Sequence, residues 1–573
     1  MKRKMLRIRI RVLSAIVIAL SLVLLGRLYY LQVDQSEYYL AQAESQYVHT
    51  KTNIYSRGSI YFTTRDGEEL SAAAIRAGYV LAINPEQITR EYDDICEQLQ
   101  PYFDITIERC VERLSVPDRT YLELASRLTE VQQEEIDALD LDGVQLYRNQ
   151  WRYYPGDTLS ARTVGFVGYM NDLPELRGIY GLERYYDDIL YREQKTRSVN
   201  FFAELFSNLG DVAYQKEDTG SGDIITTLEP SVSRKLDEEL AAVQETYNSK
   251  LTGAVIMDPM TGEIIAMNAI PTFNLNDRTG LGANDFRNPL VEDVYEMGSI
   301  IKPLTMAAGL DSGVVTAKTT YYDAGSLELD TFTIRNYDGR GRGTVPMQEV
   351  LNQSLNTGVA HIVTLMGKDR FREYFKSYKL GSETGIDLPN ETYGLISNLE
   401  SPRDVEYATA SFGQGIAMTP IETTRALATL GNGGRLVTPH IVKEIRYDNG
   451  HVKEVQFPVG EQVLSPETSE EISRMLTVVV DDALKGGKVA MPNHTVGAKT
   501  GTAQIPDPVN GGYYDDRYLH SFFGYFPAYE PRFIVFMYTV EPQGVRYASE
   551  TLTDPFMNIV RYLINYYSIP PDR

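Results

Sequence analysis

The chain is short of the residues that would staple a small fold or hold a metal. Two cysteines, Cys96 and Cys110, in 573 residues exclude a disulfide-dense scaffold and a multi-cysteine zinc ribbon. The six histidines (His49, His361, His440, His451, His494 and His520) are scattered. None stands at the three- or four-residue spacing that brings two ring nitrogens onto one helix face, so neither a metal nor a cofactor is expected. Low-complexity tracts are missing too. With 43% hydrophobic and 23% charged residues, the composition is that of a folded chain. Its length exceeds what one core usually serves and predicts two or three domains.

Positive charge is scarce outside the N-terminus. The first 27 residues hold seven of the 55 lysines and arginines and no acid, so the rest sets 48 basic against 78 acidic side chains. Such a body repels a polyanion, which excludes nucleic acid as a partner. The basic head over 1–11 precedes an apolar run over 12–26 that Leu28 to Val33 extends once Arg27 snorkels to the interface. About 20 apolar residues cross a bilayer. We therefore expect an anchor over 12–33, a cytoplasmic tail over 1–11, and the remainder outside the plasma membrane, following the basic flank. A cleaved signal peptide is the alternative, but the bulky Arg27, Leu28 and Tyr29 offer no small-residue cleavage site. In that compartment Cys96 and Cys110 are free to pair; burial as two small apolar side chains is the other reading, and both stay open.

Organisation follows from the turn residues. From 34 to 222, strand-like runs such as Tyr79 to Ile83 alternate with polar helical stretches such as Leu128 to Leu139. Arg57 to Tyr61 followed by Arg65-Asp66-Gly67 reads as strand, turn, strand, and Gly178 to Arg184 (GIYGLER) as a second structural segment. The charged, aperiodic stretch over 185–222 reads as a seam, placing a boundary near 222. Beyond it come a strand (Ile224 to Leu228), a helix opened by Pro230 and running to Tyr247, and a hairpin of Thr252 to Met257 with Glu263 to Ala269. Strand-like runs return only at Thr495 to Thr502, Ser521 to Phe526 and Phe533 to Val540. Strands, a helical block, then strands predict an α+β domain over 223–573 whose antiparallel sheet draws strands from both ends, carried on a mixed α/β domain over 34–222.

Three segments carry chemistry. In Gly298-Ser299-Ile300-Ile301-Lys302 a serine precedes a lysine by three residues, which puts both on one helix face. A lysine whose pKa is lowered by burial or neighbouring cations can take the serine proton. Alone, such a pair arises by chance about once or twice in a chain of this length. Ser354-Leu355-Asn356 offers a hydroxyl to relay a proton and an amide to hold a carbonyl; Ser198-Val199-Asn200 repeats the pattern. In Lys499-Thr500-Gly501-Thr502 the lysine supplies a positive field for a carboxylate, the threonines can bind it, and the glycine admits a close backbone.

In that order the three elements resemble the signature of penicillin-binding proteins and serine β-lactamases. The segments RNPLVEDVYEMGSIIKPLT from Arg287, SFGQGIAMTPIETTRALATLGNGG from Ser411, GAKTGTAQ from Gly497 and SFFGYFPA from Ser521 are similar to the transpeptidase domain of class B penicillin-binding proteins. GRLYYLQV from Gly26, the Arg-Gly pair at Arg57 and GLER from Gly181 resemble that family's anchor and pedestal. Met297 and Ser56 stand where proline is common, and the segment Phe62 to Gly67 is longer than usual; none of these removes a catalytic group. No glycosyltransferase block like that of class A enzymes precedes residue 222.

The resemblance implies a peptidoglycan D,D-transpeptidase. Ser299 would attack the penultimate D-alanine carbonyl of a stem peptide with Lys302 as base, and Ser354 would pass a proton to the leaving amine. Asn356 would position the acyl-enzyme, while Lys499, Thr500 and Thr502 would hold the terminal carboxylate beside Gly501. The backbone N–H groups of Ser299 and Thr502 would form the oxyanion hole. An amine from a neighbouring strand would then form the cross-link, and β-lactams would acylate Ser299. A SEDS-family glycan polymerase is the implied partner. A D,D-carboxypeptidase, and a non-catalytic β-lactam-binding or allosteric subunit, remain as alternatives. A β-lactamase would need a Glu-x-x-Leu-Asn element that the 50 residues after Asn356 lack. Elongation, division and sporulation are not distinguished, nor is the acceptor residue.

Overall fold

The computed structural model describes residues 56–117, 119–169, 176–192, 220–458 and 460–573. The expected anchor over 12–33 and the Ser198-Val199-Asn200 repeat lie outside these residues. None of the described helices is long and apolar enough to cross a membrane.

Described residues 76–151 form one compact unit. Helices Tyr92–Leu99 and Ile107–Leu114 carry Cys96 and Cys110, which are fully buried and joined as a disulfide. Of the two readings left open by the sequence, pairing holds, and the buried sulfurs are not free thiols. Closing a loop of this length is worth roughly 3 kcal/mol in the chain-entropy account. The second half of strand Glu69–Ile83 pairs antiparallel with Leu122–Leu128, from Tyr79 opposite Leu128 to Ile83 opposite Leu122. Helix Glu130–Asp137 starts at Thr129, which forms a reciprocal capping box with Gln132. Leu81, Ile83, Ile95, Leu99, Leu122 and Ile136 make its core.

The second unit comprises 56–75 and 152–573. Its five-stranded sheet is antiparallel throughout, in the order Gly497–Pro506, Tyr513–Phe526, Phe533–Val540, Leu251–Met257, Ile264–Ile270. Strands from both ends of the domain sit side by side, as the order of runs predicts. All eight residues of Phe533–Val540 are buried because both sheet faces are covered. Phe522, Val535 and Met537 pack with Val232, Leu236 and Leu563 of helices Pro230–Tyr247 and Thr553–Tyr566. On the other face Phe523, Phe536 and Tyr538 join Ile300, Leu304 and the helical block. Alternation along each strand feeds two cores at once. The block is not purely helical: two small ladders, Thr320–Asp323 with Gly343–Pro346 and Ser326–Leu329 with Phe332–Arg335, interrupt it.

The stretch over 185–222 that reads as a seam lies mostly outside the described residues, and the strand expected after it is present. Strand Gly222–Thr226 is built in between Ile60–Thr63, which it meets in parallel, and Val442–Tyr447, which it meets antiparallel. The Arg57 and GLER segments are structural, as read from the sequence. Glu183 is fully buried between Arg57 and Arg152, each guanidinium donating to one carboxylate oxygen at 2.6 Å. Arg57 also donates to Asp187 at 2.7 Å.

Candidate active site

Nucleophile geometry begins with a turn. Gly298–Ile301 is a single 3-10 turn, and Lys302 opens helix Lys302–Asp311. Gly298 has φ +65°, a conformation that a side chain disfavours. A Cβ there would also lie 2.9 Å from the Thr502 carbonyl oxygen. The Gly298 N–H donates to the Gly413 carbonyl at 3.1 Å, and Thr305 Oγ1 donates to the Ser411 carbonyl at 2.8 Å. The segment from Ser411 thereby clamps the serine turn from behind. Ser299 is half-buried, and among the described residues its hydroxyl makes no hydrogen bond.

Lys302 is completely buried, and its Nζ donates to the carbonyl and to the hydroxyl of Ser354, at 2.5 and 3.1 Å. Burial first, and the nearby Lys499 charge second, hold this amine well below the ordinary lysine value. An amine so placed is neutral and able to accept a proton. Ser354 sits at φ +54°, a left-handed conformation that costs a non-glycine residue about 1 kcal/mol or more. It lies between helices Met347–Asn352 and Asn356–Met366. Asn356 opens the latter and donates from Nδ2 to the Arg335 carbonyl at 2.8 Å, leaving its second amide hydrogen free for a substrate carbonyl.

The third segment lies on the sheet's outermost strand. Register places Lys499 opposite Phe523 and Gly501 opposite Ser521, on the face toward the helical block. Thr500 and Thr502, opposite Phe522 and His520, take the other face. The lysine and the two threonines therefore project from opposite faces, because a strand alternates. Lys499 is buried and donates to the Thr500 carbonyl at 2.9 Å; burial pushes its amine down to about 7. Thr502 Oγ1 accepts from the Ala548 N–H at 3.1 Å and keeps its own hydrogen to donate.

Gly501 has a packing role of its own. The space that its missing side chain leaves is taken by the protein itself: a Cβ would lie 2.4 Å from Ser521 Oγ and 2.8 Å from the Met297 carbonyl oxygen. Ser521 Oγ donates to that carbonyl at 2.7 Å, pinning the turn that carries Ser299 onto the strand. Sequence reasoning passed over Ser521. The sequence hid this pairing, since the strands are joined by a six-residue loop over 507–512 and their register shifts between Gln504 and Pro506. His520 was passed over as well: buried, it bonds through Nδ1 to Thr551 Oγ1 and through Nε2 to the Arg546 carbonyl, both at 3.0 Å. Burial pushes its ring down to about 4, so it is a neutral tether for the segment that meets Thr502.

All three motifs thus converge on one place, with Lys302 touching Ser354, Lys499 within electrostatic reach of Lys302, and the Ser299 turn seated on Gly501 and Thr502. Among the described residues no group of acids, histidines or cysteines could hold a metal ion. Comparison with known proteins agrees. Residues 252–561 match the family model of the penicillin binding protein transpeptidase domain, and residues 55–217 that of the penicillin-binding protein dimerisation domain. Stage V sporulation protein D of Bacillus subtilis is 32% identical over 82% of this chain and 71% of its own length. Peptidoglycan D,D-transpeptidase FtsI of Escherichia coli is 26% identical over 98% of this chain and 92% of its own. The crystal structure of penicillin binding protein 2X from Streptococcus thermophilus shares the fold, with TM-score 0.71 and 21% identity over 90% of this chain and 81% of that one. The chain belongs to the penicillin-binding protein transpeptidase family, as a class B member.

Proposed function

We propose that the protein cross-links peptidoglycan as a serine D,D-transpeptidase, a reading carried by the buried Lys302 amine bonded to Ser354 in the shell of Ser299. Ser299 Oγ attacks the penultimate D-alanine carbonyl while Lys302 Nζ takes its proton. The oxyanion falls to the backbone N–H groups of Ser299 and Thr502, each such donor being worth about 3 kcal/mol. As the tetrahedral intermediate collapses, the proton passes by way of Ser354 to the departing D-alanine nitrogen, and the Ser299 ester remains. The 3.1 Å contact between Lys302 and Ser354 supports this relay. Asn356 orients the acyl group, and Lys499 with Thr500 and Thr502 receives the terminal carboxylate, the hydroxyls reaching it over the free edge of the strand. A stem-peptide amine then displaces Ser299.

A β-lactam offers the same carbonyl in a ring and acylates the same serine. The basic head and apolar run support anchoring by 12–33 in the plasma membrane with 34–222 and 223–573 outside as pedestal and transpeptidase domain. Family membership supports a SEDS-family polymerase as the partner that supplies the glycan.

The purified full chain, incubated with a fluorescent penicillin and resolved on a denaturing gel, tests this. We expect covalent label on the wild type and none on Ser299→Ala. Absence of label on the folded wild type over hours at high probe would overturn the reading.

A further inference from the structure

The strand that carries Lys499 to Thr502 continues as Gln504, Ile505 and Pro506, and there it borders a cavity of about 570 Å³. Its lining also includes Val294 to Glu296, which precede the turn of Ser299. Two segments of the active site therefore run directly into this cavity. Leu519 and Val540 are among its apolar lining, and its charged groups are Glu296, Glu541 and Lys250. Lys250 lies 3.9 Å from Glu541, which leaves one acidic side chain of the lining without an ionic partner. That side chain is Glu296. Among the described residues it has no cationic partner; Tyr513 Oη donates to its carboxylate at 2.9 Å. Burial raises its pKa to about 7, the mark of a carboxylate that a cation would stabilise.

Cross-linking of like strands requires that each stem peptide carry both a D-alanine pair and an amine, so the donor itself bears an amine upstream of its reacting carbonyl. The strand Gly497–Pro506 ends the sheet order, and an extended peptide adds to such an edge in register. Antiparallel addition with the donor's carboxylate at Thr500 sets its earlier residues opposite higher-numbered positions. Two residues upstream is about 7 Å along the strand, opposite Thr502 to Gln504, from where a side chain of about 6 Å reaches the cavity. Resting on the transpeptidase reading, we propose that this cavity receives the amine-bearing side chain of the donor peptide and that Glu296 pairs with its ammonium group.

Two synthetic donor peptides test this on the purified full chain without added acceptor, one with the side-chain amine free and one with it acetylated. Acylation of Ser299 should favour the free amine by about tenfold in kcat/KM, through KM. Glu296→Gln should bring the free-amine donor to the level of the acetylated one, and Glu296→Asp should restore part of the preference. Equal rates for the two donors in the wild type would overturn the proposal. So would a Glu296→Gln variant that slows both alike, since Glu296 would then only shape the turn before Ser299. A preference seen solely in the acceptor step would move the amine site to the other peptide and overturn the donor assignment. Failure of the wild type to take a fluorescent penicillin would instead count against the transpeptidase reading itself.

Discussion

At the scale of single residues the site turns on two buried amines. Lys302 and Lys499 each have their proton affinity lowered by burial, and Lys302 is lowered further by the charge of Lys499. Acylation needs Lys302 neutral, so its rate should rise with pH through the Lys302 pKa and level off above it, with the rising limb well below the ordinary lysine value of 10.5. Replacing Lys499 by methionine removes a like charge and raises the Lys302 pKa, so the limb should move to higher pH. Acylation rates at saturating fluorescent penicillin over about pH 5 to 10 read this directly. A limb that stays in place in Lys499→Met would mean that another group takes the Ser299 proton.

At the scale of elements, the active site depends on how closely a 3-10 turn approaches a strand. Ser521, Gly501 and Met297 form one contact, with hydroxyl to carbonyl at 2.7 Å across a position that has room for no side chain. Gly501→Ala places a methyl group 2.8 Å from a backbone oxygen, which is overpacking that costs about 1 to 3 kcal/mol. The turn bearing Ser299 must shift to relieve it. Penicillin acylation should fall by at least about tenfold, since displacement of a reacting group by a fraction of an ångström is costly. Urea unfolding should show the stability loss. Wild-type acylation in Gly501→Ala would show that the turn tolerates the shift.

On the scale of the whole molecule, a buried charge network joins residues far apart in the chain. Glu183 answers Arg57, 126 residues away, and Arg152, all three nearly inaccessible to solvent. Taking away the shared carboxylate leaves the buried Arg152 without its ion-pair partner and Arg57 with Asp187, a loss of about 3 to 5 kcal/mol. Glu183→Ala should therefore lower the urea midpoint substantially even though residue 183 lies outside the catalytic motifs. A midpoint equal to the wild type would show that Asp187, which also binds Arg57 at 2.7 Å, suffices alone.

Much of this was legible in the amino-acid order because it rests on local rules. Periodicity located the helix from Pro230, the hairpin around Gly262 and the late strands, and the spacing of Ser299, Lys302, Ser354, Asn356 and Lys499 to Thr502 marked the chemistry. The sequence by itself determined which groups are available and in what order the elements come. Only the tertiary structure decided which groups meet. It bonded Lys302 to Ser354 and closed the space at Gly501 with Met297 and Ser521. It also set the strand Gly222–Thr226 between Ile60–Thr63 and Val442–Tyr447. These are contacts between residues 52 to 224 positions apart, fixed by strand register and by burial that lowers the proton affinity of an amine, and neither quantity is encoded in any short stretch of chain.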